Sequence, residues 1–394
     1  MARKLGCWVA LTVVLVLVAG TQAFAADPLA VHILYLEQQI ARPPALSNLE
    51  LPPSDLGLQG ARQSVIDNNT TGKFLKQTFD LTEVVASPGT DLVAAAKDKL
   101  AQFDLILVNA QAPVLLALAD LPEAKGKLLF DTGSYDERLR EENCRPNVLH
   151  TLPTRAMLTD ALVQFLVRKQ WKQILLVAGL TDDDKAYASA LEASVAKFGA
   201  KIVQRKDWNA NGDKRDTAAE EVPLVTQGPS YDVVAVADEG HDFGATIAYN
   251  TWLSRPVVGT HGLVPAGWSP VIESWAAVQL QNRFKALAKR GMAPIDFAAW
   301  VAVRLIGETA TRTGKADAAS VRAYALNDKL QLAAFKGRGL SFRAWNGQLR
   351  QPIHLVTADN QVAVAPIEGF LHQRTDLDTL GLDLPESKCK AFQQ

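Results

Sequence analysis

Residues 174–204, ILLVAGLTDDDKAYASALEASVAKFGAKIVQ, decide the fold. Ile174–Ala178 is an apolar run of strand length, which is how a strand buried on both faces reads. Asp183–Phe198 follows with amphipathic spacing, and Phe198-Gly199 supplies a helix stop. Ile202–Gln204 then opens a second strand. Strand, helix and strand in succession imply a parallel sheet with helices on its faces.

The same alternation extends in both directions. Val31–Tyr35, Leu105–Asn109 (LILVN) and Lys127–Phe130 are strand runs before it, and Val233–Ala237 (VVAVA) and Val257–Gly259 follow it. Asp91–Gln102 and Arg155–Lys169 have helical periodicity. A break near Asn147–Pro153 divides the strands into two sets, one for each of two sheets. From Trp275 the pattern turns helical over Trp275–Arg290, Ile295–Thr313 and Ala318–Leu326. Short strands return at Leu340–Arg343, Pro352–Val356 and Val362–Ala365, separated by turns at Trp345-Asn346-Gly347 and Asp359-Asn360. The expectation is an α/β protein of two lobes, each a parallel sheet flanked by helices. Parallel sheets bind ligands at the carboxyl ends of their strands, so two such lobes facing each other make a closable cleft.

The first residues read as an export signal. Met1-Ala2-Arg3-Lys4 is a charged start, Trp8–Val18 is apolar, and Ala23-Phe24-Ala25 has the form of a cleavage site. Cys7 precedes the apolar run, which is the wrong side for lipid attachment. Cleavage leaves about 369 of 394 residues, enough for two ordinary domains. At 48% hydrophobic and 21% charged, the composition is globular. The net charge of -1 falls by two with the loss of Arg3 and Lys4, and no basic stripe suggests nucleic acid. Cys144 and Cys389 remain. In an oxidising compartment an isolated pair invites a disulfide, with two separate free thiols as the competing reading.

Catalytic patterns are missing. The chain contains no H-E-x-x-H, C-x-x-C, G-x-S-x-G or phosphate-cradling glycine loop, and its six histidines are scattered. Asp207-Trp208-Asn209-Ala210-Asn211-Gly212-Asp213 matches the first half of a calcium loop. The twelfth position, which calls for a bidentate Glu, is Ala218, so a hydrophilic turn explains 207–220 better than a metal. Leu46–Gln59 reads as an inserted loop, and Asn68-Asn69-Thr70-Thr71 as a polar turn.

Leu152-Pro153-Thr154-Arg155, helix Ala156–Lys169, strand Ile174–Ala178 and the turn Val257–Gly262 resemble the lobe crossovers of a known family. That family is the type I periplasmic solute-binding proteins of ABC transporters, of the branched-chain amino-acid-binding type. YDERLREENC (135–144), VPLVTQGPSYDVV (222–234), WAAVQLQNRF (275–284), AAWVAVRLIGE (298–308), LSFRAWNGQLRQPI (340–353) and FLHQRTDLDTLG (370–381) look like one subgroup. Its members accompany pyrroloquinoline quinone (PQQ)-dependent alcohol dehydrogenase systems. The resemblance covers nearly all of residues 30–390. It implies a signal peptide at 1–25, lobe 1 at 26–150 and 263–338, and lobe 2 at 151–262 and 339–365. A C-terminal tail takes 366–394. It also implies a periplasmic protein that closes about hinges near His150–Pro153 and Gly262–Pro265, serves an ABC transporter permease and catalyses nothing.

The pocket positions carried over by resemblance are Glu37 and Gln38, Asn109-Ala110-Gln111, Thr132-Gly133-Ser134, Asp238, Glu239, the Thr260–Gly262 turn with His261, and Trp275. The hydroxyl anchors of amino-acid binders are not cleanly reproduced, which the resemblance reads as favouring PQQ as the bound ligand, with no intrinsic cofactor. PQQ is planar with three carboxylates, so it needs aromatic faces and cationic forks. Trp268 and Trp275, with Trp252 behind them, are the candidate faces, though tryptophans at strand ends equally cap a core. Arg138 and Arg155 are the first candidate forks among Arg138, Arg140, Arg145 and Arg155, against a reading as ordinary surface ion pairs. Gln279 and Arg283 are further helix-face candidates. The alternatives are a binding protein for an amino acid or other small metabolite, or a sensor regulating the dehydrogenase system.

Overall fold

The computed structural model describes residues 28–41, 53–208, 218–241, 243–248 and 250–392. The expected signal segment (1–25), the first half of the Leu46–Gln59 loop and the centre of the calcium-like turn lie outside them.

The first sheet contains β1 (Leu29–Gln38), β2 (Gln77–Ala86), β3 (Leu105–Asn109), β4 (Leu128–Asp131) and β5 (Val148–His150). Its order is β2-β1-β3-β4-β5, parallel throughout. Alternate residues feed two cores, as the two-residue period of a strand requires. Ile33, Tyr35, Leu105 and Leu107 join one face, and Leu34, Leu36, Ile106 and Val108 the other. Helices α1 (Leu58–Leu75), α2 (Leu92–Leu100) and α3 (Ala112–Ala119) connect these strands.

The second sheet repeats the plan. After α4 (Arg155–Arg168) come β6 (Gln173–Ala178), α5 (Asp182–Phe198), β7 (Lys201–Asp207), α6 (Ala218–Val225), β8 (Val233–Ala237), α7 (Gly244–Ile247) and β9 (Val257–Gly259). The order is β7-β6-β8-β9, again parallel. Ile174, Leu176, Val233 and Ala235 pack on one face, Leu175, Val177, Val234 and Val236 on the other.

The rest of the chain is shared between the lobes. The short β10 (Val264–Ala266) precedes α8 (Ala277–Ala288), α9 (Pro294–Thr313) and α10 (Ala318–Ala325). Then follow β11 (Ser341–Phe342), β12 (Leu349–Arg350), β13 (Ile353–Val356) and β14 (Gln361–Ala365). Helices α8 and α9 return to lobe 1 and pack on α1. The expected polar turn at Asn68-Asn69 is instead the middle of α1, where the buried Asn68 donates to Val303 O at 2.9 Å and fills the space beside Gly307.

Strands β10, β13 and β14 form an antiparallel sheet against α4. Leu263, Ile353, Leu355 and Ala365 therefore belong to the lobe 2 core, whereas Leu340, Phe342 and Leu349 belong to lobe 1. The chain changes lobes near Gly267 and Gln351, several residues beyond the expected 262/263 and 338/339. Apolar spacing marks a residue as buried without saying in which core.

Two of the crossing segments are bonded together at these points, and Lys336 of lobe 1 joins them. Gln348 Nε2 donates to Leu152 O at 3.1 Å, and Gln351 Nε2 to Thr151 O at 2.9 Å. Lys336 Nζ donates to Gln351 Oε1 at 2.6 Å and to Pro352 O at 3.0 Å. Burial holds the Lys336 ammonium well below the usual lysine range.

The tail is no loose appendage. Cys144 and Cys389 form a disulfide that ties it to lobe 1. On the lobe 2 side Gly381 N donates to Asp160 Oδ2 at 2.8 Å, and Lys197 Nζ to Gly381 O at 2.8 Å. No helix among the described residues is long and apolar enough to cross a membrane.

Candidate functional site

The strand tips of lobe 1 carry a small polar cluster. Tyr35, facing the core from β1, donates its hydroxyl to Glu37 Oε2 at 2.9 Å. Asn109 closes β3 and donates to Tyr35 Oη at 3.1 Å and to Leu56 O at 2.9 Å. Glu37 is buried, and that burial lifts its carboxyl above the ordinary range despite the bonds from Tyr35 and Asn109. Behind it Arg290 bonds Asp55 at 3.0 Å and Asp296 at 2.6 Å.

The neighbouring predicted residues hold loops together. Gln38 accepts from Leu92 N at 3.2 Å and donates to Ser87 O at 3.3 Å, pinning the loop before α2. Thr132 donates to Val108 O at 3.1 Å. Ser134 Oγ accepts from Asp136 N at 3.3 Å. Gln111 is exposed at the start of α3 with no side-chain cap bond.

Beneath this loop lies a buried charge network. Asp131 Oδ2 meets Arg140 Nη2 at 3.0 Å and His150 Nδ1 at 2.9 Å, all three residues at most 2% exposed. Burial pushes Asp131 upward, but Arg140 and His150 more than offset it, leaving its carboxyl below the ordinary range. Burial together with the Arg140 charge lowers His150 to about 4.

On lobe 2, Asp238 follows β8 and accepts from Phe243 N at 3.0 Å and Gly244 N at 2.6 Å, which folds the loop. Glu239 forms a fork with Arg155 at 2.9 and 2.6 Å, and Arg155 also reaches Asp183 at 2.7 Å. Burial raises the Glu239 carboxyl against the pull of Arg155. His261 bonds Thr260 Oγ1 at 3.0 Å and His241 at 3.3 Å, and burial lowers its pKa. Tyr135, from lobe 1, packs on the lobe 2 core, and Glu137 accepts from Ala156 N at 2.7 Å at the start of α4.

The predicted cationic forks are already spent. Arg138 is exposed and holds Asp136 by three contacts, the shortest 2.6 Å. Arg140 is locked in the buried network, and Arg145 grips Asp120 at 2.6 and 2.8 Å. The predicted aromatic faces are also absent from the strand tips. Trp268 is fully buried and stacks on Phe297 at 4.3 Å, so its role is core packing. Trp252 is exposed elsewhere on lobe 2, and Gln279 is exposed on α8. Arg283 pairs with Asp67 at 3.0 Å.

Trp275 is half-exposed and lines a groove of about 820 Å³ between α1, α8, α9 and residues 331–339. None of the strand-tip residues lines that groove. Sequence reading missed Tyr35 and His241 at the tips. The alternation from Tyr35 to Glu37 would have placed both on one face, and His241 stands two residues after Glu239. No group of three His, Cys, Asp or Glu side chains among the described residues is placed to hold a metal.

The sequence profile of the periplasmic binding protein family matches residues 56–363. A search of curated proteins finds no match. The fold is similar to a branched-chain amino acid ABC transporter periplasmic ligand-binding protein from Burkholderia xenovorans. That likeness has a TM-score of 0.69 at 14% identity over 92% of this chain and 100% of that one. A leucine-, isoleucine-, valine-, threonine- and alanine-binding protein from Brucella ovis, in a closed conformation, aligns with a TM-score of 0.66 at 13% identity, covering 93% and 99%. A branched-chain amino acid transporter substrate-binding protein from Streptococcus pneumoniae, in complex with isoleucine, gives 0.61 at 14%, covering 85% and 98%.

Proposed function

The chain belongs to the periplasmic binding protein family, and on that premise we propose that it is the solute receptor of an ABC transporter. Its inter-lobe cleft takes a small solute bearing an amino group, an amino acid being the leading class. The observation that carries this is the charge state of the strand tips. Every arginine there ends on a carboxylate, while Glu37 is buried, bonded by the neutral side chains of Tyr35 and Asn109, and forms no ion pair with a cation among the described residues. A buried carboxylate favours a cationic partner. The similar proteins from Burkholderia, Brucella and Streptococcus, described by their amino-acid ligands, point the same way.

PQQ remains the second reading for the cleft, supported by the subgroup resemblance of segments such as 135–144 and 340–353. Three carboxylates would there compete with Asp136, Glu239 and Asp183 for guanidiniums already bonded. On that reading the protein serves a PQQ-dependent alcohol dehydrogenase system.

Calorimetric titration of the wild-type chain with the L-amino acids and with PQQ separates the two. The expected result is micromolar binding of at least one amino acid, weakened at least about tenfold in Glu37→Gln. Binding should also fade on acidification earlier than an ordinary carboxylate would cause, because Glu37 is raised. PQQ binding that is lost in Glu37→Gln, with no amino acid bound, would overturn the proposal.

A further inference from the structure

The lobe 1 groove combines features that the cleft lacks. Its floor is aromatic: Trp300 and Phe335 have ring centroids 5.7 Å apart, and Trp300 Nε1 is anchored on Asp67 Oδ2 at 2.9 Å. Its edge is Trp275, still 45% exposed. The Trp275 indole lies so close over Gly337 that a Cβ there would stand 2.5 Å from its ring. One face of the indole is therefore fixed by backbone, and the ring is held in place with the rest of its surface open.

The backbone around the groove is unusual too. Among described non-glycine residues outside helix C-terminal ends, left-handed φ occurs at His241 (59°), Trp275 (55°), Ala276 (63°) and Phe335 (57°). Three of these four line this groove. Aromatic side chains rarely adopt that conformation, and residues held so cluster at ligand clamps.

The charges are unbalanced. Arg283 is neutralised by Asp67, the acid on the groove wall. Arg304 meets Glu308 at 3.6 Å, and Arg338 donates a long hydrogen bond to Asp376 at 3.4 Å, so both guanidiniums are only loosely paired. The side chains of Arg304 and Arg338 are 32% and 43% exposed. A volume of about 820 Å³ lies within the range of small-molecule sites.

We propose that this groove is a second binding site, distinct from the cleft, for a planar aromatic molecule carrying carboxylate groups. The ring stacks on the open part of Trp275, with Phe335 and the buried Trp300 beneath it, and the carboxylates take the loosely paired forks of Arg304 and Arg338. The proposal stands whether or not the cleft binds an amino acid.

The probe is naphthalene-2,6-dicarboxylate, titrated into the full mature chain by calorimetry and by quenching of tryptophan fluorescence. Suberate serves as the flexible, ring-free dicarboxylate. The expected result is saturable binding of the aromatic acid at one site, with suberate at least about tenfold weaker. The double variant Arg304→Gln/Arg338→Gln and, independently, Trp275→Leu should each weaken the aromatic acid about tenfold or more, with melting profiles unchanged. Glu37→Gln should leave it unaffected. Equal affinity in wild type and both groove variants, no binding at all, or loss in Glu37→Gln alone would each overturn the proposal.

Discussion

The rim of the cleft and the lobe 1 groove both hold arginines and aromatic residues, yet they finish them differently. At the rim, Arg138, Arg140 and Arg155 all close on carboxylates at 3.0 Å or less. In the groove, Arg304 and Arg338 reach their carboxylates only at 3.6 and 3.4 Å. Aromatic rings diverge likewise: Trp268 is consumed by the core, and Trp275 remains half open. Charges tightly paired within the fold hold it together; charges held loosely beside an open ring can exchange their partner for a ligand.

The comparison is broken first through stability. Arg140→Met leaves Asp131 buried without its cation, and removing one partner of a buried pair costs about 3–5 kcal/mol. Denaturant titration should show that loss, and an unchanged midpoint would mean the network is not structural. Acidity should act in the same place. His150 is lowered to about 4 from an ordinary 6.5, so its contribution is full above 6.5 and is lost as pH falls through about 4. His150→Gln should therefore flatten the acid side of the melting-temperature profile across that window. The smallest effect belongs to the groove. Arg304→Gln/Arg338→Gln should change stability by no more than about 0.5 kcal/mol, since exposed, loosely paired arginines contribute little. A loss comparable to that of Arg140→Met would erase the distinction.

Much of the fold was legible in the chain. LILVN, ILLVA and VVAVA are strands buried on both faces, and the structure places β3, β6 and β8 there. The edge strand β2, QTFDLTEVVA, escaped because its polar residues alternate with apolar ones along an exposed flank. Helix α1 escaped because Asn68-Asn69-Thr70-Thr71 reads as a turn; α9 overrides that propensity by packing along it and supplying Val303 O to Asn68.

The site was legible only in outline. Position along a strand places Glu37, Asn109 and Glu239 at the carboxyl ends. It does not show that Arg155 will be claimed by Glu239 and Asp183, which lie 84 and 28 residues away. The requirement for a flat face and cationic forks named Trp275 for the cleft; its ring is half-exposed but lies in the lobe 1 groove, beside partners from α9 and the 331–339 segment. Their proximity exists only after helix packing.

The most direct measurement is a crystal structure of residues 26–394 grown with both naphthalene-2,6-dicarboxylate and the amino acid that binds best in calorimetry. The account predicts density for the amino acid between the lobes, its amino group beside Glu37, and density for the aromatic acid between Trp275 and the Arg304–Arg338 forks. An aromatic acid lodged between the lobes beside Glu37, with the groove empty, would contradict it.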